Sequence, residues 1–263
     1  MLAVTSRPSV VVVMPAYNAA RTLAATWQAI PVNAVDEVIL VDDGSVDATL
    51  DVAAKLPIRT LPLPHNVGYG GNQKTCYLEA LRIGADIVVM LHPDGQYNPA
   101  LIPEMVAPIA GGEADMVLGS RLLIPGGARA GGMPLYRYVS NRVLTTIENR
   151  ALGTSFSELH TGYRAYNRKF LETVPFLRNS NDFVFDTQVL VQAARFGFGV
   201  AEIPAVGRYF KEASSVGFQT SVVYGLKTLL ALATYLANRM GFPCRWLDRP
   251  LIVSDQQKQR QAA

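Results

Sequence analysis

The 263-residue chain is 49% apolar and only 17% charged, with a formal net charge of +3. That length suits one large domain, or a domain with a C-terminal appendage. The weak charge, without a dense Lys/Arg block interleaved with aromatics, excludes a nucleic-acid binder. Cys76 and Cys244 lie too far apart for a metal-ligand motif and are expected to be reduced thiols of a cytoplasmic protein.

Residues 10–14 read as a strand, 19–30 as a helix, 37–41 as a strand and 47–55 as a helix. The first run is too short for a signal peptide and meets Pro15. A short strand at 58–61, a helix at 72–83, a strand at 87–91, a helix at 101–110 and a short strand at 116–118 follow. This alternation predicts an α/β fold built on a doubly wound, mostly parallel sheet. No Gly-x-Gly-x-x-Gly follows the first strand and no Walker lysine loop is present, which excludes dinucleotide and P-loop readings.

Residues 122–132 are rich in Gly and Pro around Arg129, the composition of a lid or of a plain connection. A helix is expected at 136–152, a turn entering a strand at 160–166, and a helix at 186–195. The last helix, 222–240, carries Val222, Leu226, Leu229, Leu230, Ala233, Leu236 and Met240 at helical spacing. Arg208, Lys211, Lys227, Arg239, Arg245 and Arg249 flank it. Thr, Gly, Lys and Asn interrupt it, which argues against a membrane span. Packing on the domain and lying in a membrane interface remain equal alternatives. The expected units are an α/β domain over 8–212 and an amphipathic helical extension over 213–250.

Strand exits carry the chemistry, because ligands of open α/β sheets bind beyond the carboxyl ends of the strands. Pro15 closes the first strand and Tyr17 offers a face for a base. Asp42 and Asp43 end the second; adjacent residues diverge, so one can meet a nucleoside while the other caps a helix. His92 and Asp94, one residue apart in an extended segment, can face one divalent ion that neutralises a diphosphate. Gln96 can reach a sugar hydroxyl, and Arg121 can hold phosphate or form a surface ion pair.

Pro15-Ala16-Tyr17-Asn18, Val41-Asp42-Asp43-Gly44-Ser45, Asn66-Val67-Gly68, Asp94-Gly95-Gln96, Gly119-Ser120-Arg121 and Thr161-Gly162-Tyr163-Arg164 recur in this order. The ordered set resembles the family 2 glycosyltransferases of the GT-A fold over roughly residues 8–240. Within them it resembles the branch containing dolichol-phosphate mannosyltransferase and polyprenyl-phosphate glucosyltransferases. The resemblance implies that Pro15, Tyr17, Asp42 or Asp43, Lys74 and Gln96 bind a UDP- or GDP-linked sugar. It places Asp94, with His92, at a Mn²⁺ or Mg²⁺ ion. Asp94, Arg121 and Asp186 are the implied catalytic residues, and Arg129, Arg164 and Arg208 the candidate phosphate or acceptor contacts.

Three positions depart from the pattern. Ala19 stands where a glutamate is usual, His92 replaces the first acid of Asp-x-Asp, and the lysine often found just after Arg208 has no clear match, Lys211 being a candidate. Histidine softens the metal site and favours Mn²⁺.

The resemblance implies inverting transfer to polyprenyl phosphate at the inner face of the cell membrane, through peripheral contact or a membrane protein partner. A phosphate acceptor is already anionic near neutral pH and needs no base. A glycan or glycolipid hydroxyl needs one, for which Asp186, Asp182 and His160 are candidates; both aspartates are equally readable as N-caps. A non-catalytic nucleotide-sugar-binding partner of a membrane subunit is the alternative from another class. A nucleotidyltransferase ranks low, because the chain lacks a basic, glycine-rich triphosphate loop near the first strand.

Overall fold

The structure, a computed structural model, describes residues 7–209 and 218–248. Lys211, Arg249, the 212/213 boundary and the C-terminal residues lie outside the described residues.

Seven strands form one sheet in the order β3-β2-β1-β4-β6-β5-β7. They are β1 (Val10–Ala16), β2 (Glu37–Asp42), β3 (Arg59–Pro62), β4 (Ile87–Met90), β5 (Met116–Ser120), β6 (Arg164–Asn167) and β7 (Val200–Pro204). All pairings are parallel except those of β6, which runs antiparallel between β4 and β5. The α/β expectation therefore holds. β7 and the helix after β6 are additions that the sequence reading did not anticipate.

The strands read as unbroken apolar runs because helices cover both faces. Alternation along β1 sends Val11 and Val13 to one side and Val10, Val12 and Met14 to the other. The first side packs on α3 (Tyr69–Arg82), α7 (Arg168–Thr173) and α8 (Phe185–Phe196), through Tyr77, Phe170 and Val189. The second packs on α1 (Leu23–Gln28), α2 (Thr49–Ala53) and α4 (Ile102–Ala110), through Leu23, Ala53 and Met105.

The expected helix at 19–30 begins only at Leu23. Ahead of it the Ala19 amide donates to Thr49 Oγ1 at 2.8 Å. The helix expected at 72–83 begins earlier, at Tyr69, where the Asn181 carbonyl accepts from the Gly70 amide at 2.8 Å. Gly68 precedes it with φ +88°, and a Cβ there would lie 2.6 Å from that same carbonyl oxygen. Only glycine satisfies both constraints.

The segment after β5 forms a single turn, α5 (Gly127–Ala130), before α6 (Leu135–Leu152). The last helix, α9 (Phe218–Arg239), packs on α6 and α8. Thr228, Ala231, Leu232 and Tyr235 are buried there, while Leu226 and Leu230 are 63% and 67% exposed. By length and composition alone, Gln219–Arg239 is apolar enough to cross a membrane. The interruptions noted in the sequence therefore do not disqualify it, and one of its faces rests on the domain.

Met90 is wholly buried where β4 meets both β1 and β6. Met90→Ala should lower unfolding stability by about 2–5 kcal/mol in urea titration, the usual cost of a buried cavity. A loss below about 1 kcal/mol would contradict this view of the core.

Candidate active site

The parallel strands β1, β2, β4 and β5 end at one edge of the sheet, and β6, being antiparallel, begins there. The segment preceding β6 thus enters the same crevice as the loops following the other four. The result is a cleft of about 860 Å³, with Pro15, Tyr17 and Asp43 at one end and Arg121, Arg137 and Tyr224 among the residues at the other.

On the first side, two loops are laced together. Asn18 sits at φ +53°, a conformation Asn tolerates, with its amide donating to Ser45 Oγ at 2.8 Å and its side-chain oxygen accepting from the Val46 amide at 2.9 Å. Tyr17 stands 55% exposed beside them. Asp43 accepts from the Val67 amide at 2.7 Å and the Gly68 amide at 3.2 Å. Burial raises its pKa, and these amides only partly oppose the shift. The Asn66-Val67-Gly68 motif is thus the seat of Asp43.

Asp42 turns away, as strand alternation requires. Its Oδ2 accepts from the Ser45 amide at 3.0 Å, and it does not line the cleft. Of the two acids considered for the nucleoside, the structure brings Asp43 to the cleft.

The floor is a polar network. Tyr69 donates to Asp186 Oδ2 at 2.7 Å, and its oxygen lies 3.2 Å from His92 Nε2. Because the tyrosine proton goes to Asp186, the shared contact requires a proton on His92 Nε2, leaving the Nδ1 lone pair as the ring's acceptor. Gly162 closes over this ring; a Cβ there would lie 2.9 Å from His92 Nε2. Burial lowers the His92 pKa against the raising influence of Asp94 and Asp186, which favours the neutral, ligating form. Gln73 Nε2 donates to Asp186 Oδ1 at 3.3 Å.

Beneath this floor lies Arg164, wholly buried. It donates to the carbonyls of Thr161 at 2.8 Å, Asp186 at 2.9 Å and Leu159 at 3.2 Å, and its guanidinium lies 3.7 Å from the Asp186 carboxylate. Arg164 is therefore an internal brace and is withdrawn from any acceptor phosphate. Asp186, expected as a base or an N-cap, is instead bonded across helices. Asp182 does accept from the Val184 amide at the start of α8, and it also pairs with Lys227.

Asp94 and Gln96 line the cleft, with Asp94 Oδ1 accepting from the Gln96 amide at 3.0 Å. Asp94 and His92 give a metal one carboxylate and one imidazole. Among the described residues there is no cluster of three or more His, Cys, Asp or Glu. This donor set fits a divalent ion that takes its remaining ligands from a diphosphate and water.

Arg121 reaches the cleft from the end of β5. Its Nε donates to Glu158 Oε1 at 2.9 Å, its guanidinium to the His160 carbonyl at 2.8 Å and to Tyr209 Oη at 2.7 Å. Glu158 is completely buried; burial pushes its pKa up, but Arg121 outweighs this and the net shift is downward.

The other basic candidates lie elsewhere. The Lys74 ammonium bonds the Asn179 carbonyl and Asn181 Oδ1, the latter at 2.7 Å. Arg129 donates to the Met133 carbonyl at 2.6 Å, tying off its own turn. Arg208 is exposed, and its amide donates to the Gln96 carbonyl at 2.8 Å. None of the three lines the cleft. Sequence reasoning missed Tyr69, Arg137, Glu158 and Tyr224; the first stands directly after the noted Asn66-Val67-Gly68 turn, but its partner Asp186 is 117 residues away.

The family model described as Glycosyl transferase family 2 matches residues 11–174. The chain belongs to that family. It is 26% identical over 246 residues to UDP-N-acetylglucosamine--dolichyl-phosphate N-acetylglucosaminyltransferase of Methanococcus voltae, covering 87% of this chain and 95% of that one. It is 29% identical over 174 residues to polyprenol monophosphomannose synthase of Mycolicibacterium smegmatis, covering 64% of each. Glucosyl-3-phosphoglycerate synthase from Mycobacterium tuberculosis, solved with uridine diphosphate, superposes with a TM-score of 0.69 at 20% identity, over 90% of this chain and 82% of that one. A further structure of that enzyme, with Mn²⁺, uridine diphosphate and phosphoglyceric acid, gives 0.67 at 20% identity, over 90% and 80%. The sheet and its flanking helices are those of the GT-A fold.

Glu158→Gln should destabilise the protein by about 3–5 kcal/mol, because it leaves the Arg121 guanidinium without its buried counter-charge. Since folding lowers the Glu158 pKa, its contribution is complete above the ordinary value of 4.5 and fades as pH falls through the lower folded value. Urea titrations at pH 7 and pH 3 should therefore show the gap between wild type and variant closing in acid. An equal gap at both would refute the pairing.

Proposed function

We propose that this family 2 glycosyltransferase moves a sugar from a UDP- or GDP-linked donor to polyprenyl phosphate, with inversion at the anomeric carbon. The observation that carries the choice of acceptor is the state of Asp186. Its carboxylate accepts from Tyr69 and Gln73 and faces Arg164, so it is built into the floor rather than poised as a base. A phosphate acceptor needs no base, and the far end of the cleft offers the cations Arg121 and Arg137. The relatives named for dolichyl-phosphate and polyprenol substrates support the same choice.

In this reading Tyr17 stacks on the base, Asp43 binds the nucleoside, and Gln96 meets the sugar. His92 Nδ1 and Asp94 hold a divalent ion, Mn²⁺ or Mg²⁺, which when bound supplies positive charge against the diphosphate. An oxygen of the acceptor phosphate attacks the anomeric carbon as the bond to the donor diphosphate breaks. The electron pair leaves on the nucleoside diphosphate, while Arg121 holds the attacking acceptor phosphate in place. Asp94→Ala should leave thermal unfolding intact and lower nucleoside diphosphate release in the presence of polyprenyl phosphate by about 100-fold or more. Near-normal turnover would remove Asp94 from the reaction.

The α6–α9 surface supports action at a membrane face. Val139 and Val143 on α6 are 50% and 53% exposed, alongside the exposed Leu226 and Leu230 of α9. Apolar side chains with Arg142, Lys227 and Arg239 on the same two helices suit the interface of an anionic membrane. Leu226→Asp with Leu230→Asp should abolish co-sedimentation with anionic vesicles. Undiminished binding would move the contact elsewhere.

A further inference from the structure

The segment preceding β6 carries one side chain that neither the donor site nor the floor network uses. His160 lines the cleft and touches three separate parts of the fold. Its Nε2 lies 2.8 Å from Glu148 Oε2 on α6, and its Nδ1 lies 2.7 Å from Tyr224 Oη on α9. Its backbone carbonyl accepts from Arg121 at 2.8 Å. Tyr224 lines the same end of the cleft, with Thr187 Oγ1 3.3 Å from its hydroxyl.

The Glu148 contact is unusual. Glu148 is 1% exposed, and despite the short separation neither of its oxygens nor His160 Nε2 makes an aligned hydrogen bond among the described residues. A carboxylate buried this deeply needs a polar partner, and the His160 imidazole lies against it. The same ring holds the Tyr224 hydroxyl 2.7 Å from Nδ1, with the Thr187 hydroxyl completing its setting. The arrangement fixes the Tyr224 hydroxyl at the cleft wall, while the His160 backbone carbonyl steadies the Arg121 guanidinium.

We propose that His160 is a positioning residue for the acceptor phosphate: seated on Glu148, it sets the Tyr224 hydroxyl and the Arg121 guanidinium to converge on one phosphoryl group. This rests on the polyprenyl-phosphate reading and adds to it the way in which α9 joins the site. Lys227 paired with Asp182, and Thr228 beside Thr187, hold α9 in place one turn after Tyr224.

The test compares binding of farnesyl phosphate with farnesol by the full-length chain, and in parallel the binding of uridine and guanosine diphosphates. Wild type should prefer the phosphate. His160→Ala and Tyr224→Phe should each reduce that preference by about tenfold, the scale of a hydrogen bond to a charged group. The double variant should be no worse than His160→Ala, and nucleotide affinity should stay within about twofold. Glu148→Gln, which keeps the side-chain shape, should reproduce the His160→Ala loss. Tyr224→Phe keeps the test usable if His160→Ala does not fold.

A wild type that binds alcohol and phosphate equally overturns the acceptor reading, and this proposal with it. A wild type that prefers phosphate, with His160→Ala and Tyr224→Phe keeping the full preference, overturns the role of His160 alone. Additive losses in the double variant, or equal loss of nucleotide binding, would likewise contradict it.

Discussion

One buried cation organises the catalytic edge. Arg164, at the first position of β6, has no contact with solvent and must be satisfied internally. It takes the carbonyls of Leu159 and Thr161 on one side, and the carbonyl and carboxylate of Asp186 on the other. Thereby it bends the segment before β6 into the crevice and fixes the first turn of α8. Asp186 in turn holds Tyr69, and Tyr69 holds the His92 ring. The proposed metal ligand is three contacts from the brace. The proposed acceptor wall begins at His160, the residue before the Thr161 whose carbonyl Arg164 binds.

The two ends of the cleft are built by different means. The donor end consists of short loops cross-linked by side-chain-to-backbone bonds, among them Asn18 to Ser45 and Val46, and Asp43 to Val67 and Gly68. Such bonds preorganise a site without a large core. The far end leans on helices α6 and α9, whose opposite faces stay apolar and exposed. A site for a nucleotide-sugar at one end and a lipid phosphate at the other accords with that division, since only the second substrate arrives from an apolar phase.

Much of this was readable in the chain. Buried parallel strands announce themselves as apolar runs, so β1, β2 and β4, and with them Tyr17, Asp43, His92 and Asp94, were placed correctly at one edge. Local alternation also foretold that Asp42 and Asp43 would diverge, though not which would face the cleft. The failures share a cause. Lys74 reads as a nucleotide contact, and Arg129 and Arg164 as phosphate contacts, because they are cationic and near motifs, yet each is bonded to carbonyls or side chains whose proximity depends on tertiary packing. Glu158 meets Arg121 across 37 residues, and Tyr69 meets Asp186 across 117, separations without periodicity or spacing to betray them. β7 has no fully buried residue and lies at the sheet edge, so it lacks the apolar run that exposed its neighbours.

The central claim is that the cleft joins a nucleotide-activated sugar to a lipid phosphate. Its most direct test is to supply radiolabelled UDP- and GDP-sugars with Mn²⁺, and either polyprenyl phosphate or the matching polyprenol, then count label in the organic phase. Label entering that phase with the phosphate and not with the alcohol is the predicted result. Transfer to the alcohol, or turnover of donor with only water-soluble products, would contradict it.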